Sequence, residues 1–182
     1  LRGFGLTARI DLWRTQVENL IVEESAQAII AADLADGTFD DPRIEVSPTG
    51  EVTLVRAAFV NAPDVSARGL DADVTSAPVA LARWGEIAFN GRLSYIDEYE
   101  ITDPVLGATI DAAGNRNFTN FARSLPRVRA SASADWTLDG LSARLGVRHV
   151  GGYDDDENAG ARVESWTVMD AQLRAALPET HG

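Results

Sequence analysis

Cysteine and lysine are both missing from this chain, and each absence removes whole classes of chemistry. Without Cys there is no disulfide scaffold, no thiolate zinc or iron–sulfur site and no cysteine nucleophile. Without Lys, all 16 basic residues are Arg, set against 28 Asp and Glu for a formal net charge of -12. So acidic a chain is repelled by the phosphate backbone, which argues against nucleic acid as a partner. Long apolar runs are missing too: a helix that crosses a bilayer needs about 20 mostly apolar residues, and the longest helical candidate, Glu24 to Leu34, is shorter and carries Glu24, Gln27 and Asp33. No basic, apolar and small-residue segments combine into a signal peptide. The chain opens on Leu1 and reads as a piece of a longer polypeptide. Hydrophobic residues nonetheless make up 45%, too many for wholesale disorder.

What is present is alternation. Phe4, Leu6, Ala8, Ile10 and Leu12 fall on every second position, separated by Gly5, Thr7, Arg9 and Asp11. The same period returns at Ile87 and Phe89, at Leu93 and Tyr95, along Val128–Leu138, along Leu141–Val147 and along Thr167–Ala175. Successive side chains of a strand point to opposite faces, so each segment predicts a strand with one apolar and one polar face. The class is therefore all-β, an antiparallel up-and-down meander of about six principal strands.

The connections alternate in length. Asp139-Gly140 between two alternating runs is a tight hairpin signal, and Ser76 to Gly85 is also short. Residues 99–125 and 151–160 are long, polar and rich in Gly, Asp and Asn. Residues 24–36 predict a short helical insert with Ala26, Ile29, Ile30 and Leu34 on one side and Gly37 past its end. Residues 43–46 and 51–60, around Pro48-Thr49-Gly50, predict a small hairpin.

Few residues suggest chemistry. Asp154, Asp156 and Asn158 copy the first three ligand positions of a calcium loop, but Ala159 stands where that loop needs Gly and Ser165 where it needs Glu; a solvated acidic loop is the better reading. His149 at a strand end and His181 in the tail have no nucleophile motif near them, and Gly3-Phe4-Gly5 opens a strand rather than cradling a phosphate. No catalytic residue, cofactor site or metal centre is expected.

Four segments carry a family resemblance: Gly5–Trp13 followed by Val17-Glu18-Asn19-Leu20-Ile21; Phe59-Val60-Asn61-Ala62 followed by Ala67–Asp73; Leu125-Pro126-Arg127-Val128; and Trp166–Asp170. In order and spacing they resemble barrel strands of TonB-dependent outer-membrane receptors, over most of the chain from Gly3 to Leu177. The resemblance implies part of a transmembrane β-barrel of roughly 22 strands in the cell outer membrane. Its function would be TonB-energised uptake of a scarce nutrient: a siderophore–metal chelate, cobalamin or a carbohydrate. The partners it implies are the nutrient, held by outer loops, and outer-membrane lipid. TonB would be met only through an N-terminal plug, which no segment resembles. Nor does the tail from Pro178 to Gly182 resemble the aromatic-ending closing strand, so residues 1–182 are expected to be a partial barrel.

On that reading Phe4, Leu6, Ile10, Ile87, Phe89, Leu93, Val128, Trp136, Leu145, Met169 and Leu173 face lipid, with Trp136 and Tyr95 at the interfaces. Asp71, Asp73, Arg92, Arg127, Arg129, Asp135, Arg144, Arg148 and Asp170 face the lumen. The rival reading of the same alternation is a soluble extracellular β-sandwich that binds a ligand.

Overall fold

A computed structural model describes residues 5–35, 37, 40–62, 64–105 and 107–176. Phe4, Asp36, His181 and the tail beyond Leu177 lie outside them. Six long strands dominate: β1 (Leu6–Val17), β2 (Val65–Ser76), β3 (Glu86–Thr102), β4 (Val128–Leu138), β5 (Leu141–Val150) and β6 (Trp166–Ala175). They pair antiparallel in strict sequence order, so the sheet is a meander with β1 and β6 as its two edges.

This order sorts the connections by rim. The links β2–β3 and β4–β5 lie at one rim and are short. The second is only Asp139-Gly140, with φ of 42° and 84°, the left-handed pair that a two-residue hairpin requires. The links β1–β2, β3–β4 and β5–β6 all lie at the other rim and are long.

The register carries one face across all six strands. Leu12 pairs with Leu70, Leu70 with Tyr95, Tyr95 with Val128; lower down, Ala134 pairs with Leu145 and Leu145 with Ala171. Leu6, Ile10, Ile87, Phe89, Leu93, Val128, Trp136, Leu145, Met169 and Leu173 all fall on this face. Described residues leave it uncovered: Leu12 is 80% exposed, Leu173 75% and Met169 69%. A sandwich would need a second sheet here, and none of the described strands provides it.

The buried residues lie elsewhere. Val65, Ile101, Ala112 and Ala122 form a small core at the long-loop rim, with Leu20, Tyr99 and Phe121 packed against it. Among the described residues the middle of the sheet has no buried core, whereas its loop rim does.

Three expectations change in detail. The hairpin keeps only Ile44–Val46 and Val52–Val55, because Phe59–Ala62 leaves it to pair with Leu20–Glu23. Those two strands prolong the β1–β2 pair beyond Asn19, whose φ of 55° turns the chain. The helix spans Ala26–Ala35, with Ser25 Oγ accepting from the Ala28 N–H at 3.3 Å. It buries Ala28, Ile29 and Asp33 and leaves Leu34 51% exposed. Asp33 Oδ1 accepts the N–H groups of Asp40 and Asp41, at 3.2 and 3.1 Å, which draws the polar side chain inward in place of Leu34. Finally, β3 runs on to Thr102, and a further strand, Thr109–Asp111, pairs with it inside what reads in sequence as loop.

One close approach is built on glycine. Between Arg68 and Gly69 the β2–β3 register skips Asp97, a β-bulge. A Cβ on Gly69 would lie 2.4 Å from the Tyr95 carbonyl oxygen and 2.5 Å from Trp13 Cζ2, so the indole of Trp13 lies over the bare backbone. Gly69→Ala is expected to destabilise the sheet by about 1–3 kcal/mol through overpacking, read as an earlier thermal loss of the folded band on gels. Gly146→Ala, whose Cβ would meet nothing closer than 3.9 Å, should leave that temperature unchanged.

Candidate functional site

The face opposite the apolar one gathers the charged residues. Register neighbours run Arg9–Asp73–Arg92–Ser131–Arg148 across β1 to β5, and Asp135–Arg144–Gln172 across β4 to β6. The charges meet in cross-strand pairs: Arg92 Nε to Asp73 Oδ1 at 2.7 Å, Arg148 Nη2 to Asp170 Oδ2 at 3.0 Å and Arg144 Nη1 to Asp135 Oδ1 at 3.5 Å. Arg144 also donates to Ser133 Oγ at 3.2 Å, and Asn90 Nδ2 to Asp135 Oδ2 at 3.3 Å. All of these but Asp135 line a depression of about 670 Å³ that spans β2 to β6. These pairs are exposed, so each contributes little to stability, roughly 0–1 kcal/mol. What they supply is a wet surface balanced in sign.

Of the nine residues read as lumenal, Asp71, Asp73, Arg92, Arg129, Asp135, Arg144, Arg148 and Asp170 share this face. Asp71 stands directly opposite Asp11, a like-charged pair that Arg9 moderates by holding Asp11 Oδ2 at 2.7 Å. Arg127 behaves differently. It precedes β4, its guanidinium donates to the carbonyls of Ile96 and Asp97 at the bulge, and it meets Asp111 Oδ2 at 2.5 Å. It fastens the bulge to the β3–β4 loop.

The second cluster is where the two long loops meet. The β3–β4 loop docks on the β5–β6 loop by backbone bonds, Arg116 N–H to the Asp154 carbonyl at 2.9 Å and Asp154 N–H to the Gly114 carbonyl at 2.8 Å. Side chains complete the clamp. Arg116 Nη1 lies 2.9 Å from Asp155 Oδ1 and also reaches Glu157, while its guanidinium stacks over the Phe118 ring at 4.9 Å. Asp156 accepts the Phe118 N–H at 3.0 Å, Asp154 pairs with Arg162 at 3.1 Å, and Asn158 donates to Asp155 Oδ2 at 3.0 Å. Asp154, Asp156 and Asn158 thus serve three different partners, and among the described residues no three His, Asp or Glu converge as metal ligands. His149 lies on the apolar face, where Ala130 and Thr167 flank it, and its Nδ1 is 2.9 Å from Thr167 Oγ1.

Sequence reasoning missed the organisers of this clamp. Asn117 is buried at φ 58° and donates to the carbonyls of Ala112, Asn115 and Arg123 at 2.9 to 3.2 Å. Its signal was the Gly114-Asn115-Arg116-Asn117 string, since Asn tolerates the left-handed region and bonds nearby backbone.

Two loop carboxylates titrate low. The amide of Asn158 and then the Arg116 guanidinium hold Asp155 below the usual carboxylate range. For Asp111, burial pushes upward but is outweighed by the N–H groups of Tyr99 and Ala113 and by Arg127, so the net shift is also down.

A two-faced antiparallel meander with paired charges on one face, uncovered apolar side chains on the other and all long loops at one rim is the wall of a membrane β-barrel. A family model for the TonB dependent receptor-like β-barrel matches residues 1–178, and the chain belongs to that family. It is accordingly an outer-membrane protein of Gram-negative bacteria, in a family of transport receptors rather than enzymes. No curated protein matches the chain.

The sign of the shifts fixes a pH dependence. A carboxylate whose folded pKa is depressed contributes stability that is fully present above its unfolded value, about 4, and lost as pH falls through the folded value. The loop clamp should therefore be intact at neutral pH, begin to weaken below about pH 4 and open as pH falls through the lower folded values. Amide hydrogen exchange at Gly114, Arg116 and Leu125, corrected for intrinsic rate, should rise there. Asp155→Asn should raise it at neutral pH as well, whereas equal protection in wild type at both pH values would contradict the assignment.

Proposed function

We propose that residues 1–182 form a sector of the wall of a receptor that takes up a scarce nutrient by TonB-coupled transport. The candidates are a metal chelate, cobalamin or a carbohydrate. The observation that carries this reading is the joint segregation of faces and rims: charges on one face, apolar side chains on the other, and every long connection on one side of the sheet.

The polar face, with Asp71, Asp73, Arg92, Arg129, Asp135, Arg144, Arg148 and Asp170, then lines the lumen, and Arg127 guards its outer mouth. Strands β4, β5 and β6, of 11, 10 and 10 residues, match the 9–11 that a tilted strand needs to cross. From the Tyr95–Val128 level to Trp136 is eight residues along β4, about 27 Å at ~3.4 Å each. A tilt near 40° reduces this to about 21 Å of height, close to the ~25 Å apolar band of such barrels. The clamped loops, 103–127 and 151–165, then form the outer mouth that meets the nutrient, and coupling to TonB belongs to a plug that these residues do not resemble.

Deleting the gene in its own bacterium should abolish uptake of one labelled nutrient among a ferric chelate, cobalamin and an oligosaccharide. A protonophore should abolish the same uptake in the wild type. Arg116→Ala should weaken that uptake several-fold by releasing the loop clamp. Unchanged uptake of all three in the deletion strain would contradict this reading.

A further inference from the structure

The short rim holds a group of side chains that neither the sheet nor the lumen uses. The β2–β3 turn carries Val79–Ala80, which pairs back on Ile87 and Glu86, and a single turn of 3-10 helix, Ala82–Trp84. Trp136 is on the apolar face, opposite Ile87 near the end of β4, and its Nε1 donates to the Trp84 carbonyl at 2.6 Å. That bond fixes the turn at the lower edge of the apolar face. Gly85, at φ 83°, holds it tight: a Cβ there would fall 2.0 Å from the Thr137 carbonyl oxygen. The turn is thus rigidly placed, and it presents Trp84 61% exposed and Leu81 38% exposed.

Over the Trp84 ring, 5.1 Å from its centre, lies the Arg83 guanidinium. Among the described residues, the other cation stacked on an aromatic ring, Arg116 on Phe118, is neutralised by Asp155 and Glu157. Arg83 has no ion pair among the described residues, in a chain with 28 carboxylates to 16 arginines. The nearest carboxylate in register, Glu86, shares the polar face with Thr137 and so points away from the apolar edge. An unpaired guanidinium, preorganised on an exposed indole at the boundary of an apolar face, is matched in charge and geometry by a phosphodiester, which accepts two parallel N–H bonds.

We infer that Arg83, Trp84 and Leu81 form a phospholipid-headgroup site at the short rim, with the phosphate on Arg83 and the glycerol and upper acyl region against Trp84 and Leu81. The inference rests on the apolar face meeting lipid, but it goes further by assigning one turn and one headgroup chemistry. It places a fixed anchor at the inner leaflet, where this rim would lie.

Two measurements test it. The chain has no Cys, so Leu81→Cys can carry a photoactivatable diazirine in the cell envelope, and the expected adduct is a phospholipid. An adduct to a protein instead, or to no lipid at all, would overturn the site. Separately, the receptor is moved into nanodiscs of phosphatidylglycerol or of phosphate-free digalactosyldiacylglycerol, and retained lipid is counted by native mass spectrometry. Wild type should retain phosphatidylglycerol over the glycolipid even with inorganic phosphate present, Arg83→Gln should cut that retention about tenfold, and Arg83→Lys should fall between. Arg123→Gln, at the opposite rim, should match wild type. Equal retention by wild type and Arg83→Gln, or full displacement by inorganic phosphate, would contradict a headgroup site. Should Arg83→Gln not reach the folded band, the comparison of wild type with Arg83→Lys and the Leu81→Cys adduct decide. A failure here with the apolar face still inaccessible to water would sink the headgroup site alone and leave the barrel reading standing.

Discussion

Everything in this molecule depends on a sheet that cannot bury its own apolar face. Leu12, Leu173 and Met169 stand exposed on one continuous apolar face, and each such side chain gains about 1.5–3 kcal/mol when taken out of water. A soluble protein would recover that energy with a second layer. Here the opposite face is charged and hollow, so no second layer of side chains can come from the sheet itself. Lipid outside and water inside satisfy both faces at once, and the antiparallel ladder satisfies the backbone between them.

The loop rim solves a different problem. Long polar connections on a sheet without a core would fray, and the structure gives them a small core of their own around Ile101 and Ala112. Arg127 and Asn117 knit that core to the bulge in β3, and Arg116 locks the β3–β4 loop to the β5–β6 loop. These loops are therefore ordered by contacts of their own, built on the ends of β2 and β3. Apolar contacts, carboxylates and backbone groups hold these loops together, and the carboxylates of Asp155 and Asp111 are the part that acid should weaken.

The period of two made the wall legible from residues alone, because a one-residue slip would exchange the faces of a whole strand. The alternation of Leu141, Ala143 and Leu145 against Ser142, Arg144 and Gly146 leaves one register only, and Asp139-Gly140 fixes the hairpin. Charged residues on that face followed automatically. What could not be read was whatever depends on partners distant in sequence: the pairing of Phe59–Ala62 with Leu20–Glu23 in place of the local hairpin, and the burial of Asp33 in place of Leu34. The run Asp154–Glu157 illustrates the limit best. Read locally it suggests cation ligands, yet its carboxylates are taken by Arg116, Arg162 and the Phe118 N–H, two of them nearly forty residues away. Arg127 shows the same limit from the other side, since strand parity alone could not reveal that a bulge would claim it.

The central claim is that one face of the sheet meets lipid and the other meets water, and a cysteine scan along β4 tests it most directly. Single thiols would replace Ala130, Ser131, Ala132, Ser133, Ala134 and Asp135 in the outer membrane, with labelling by a small water-soluble maleimide and quenching of an attached fluorophore by a brominated lipid as the two readouts. The account predicts strict alternation: positions 131, 133 and 135 react from water, while 130, 132 and 134 resist the maleimide and are quenched by lipid. Uniform reactivity along the strand, or alternation of the opposite phase, would contradict it.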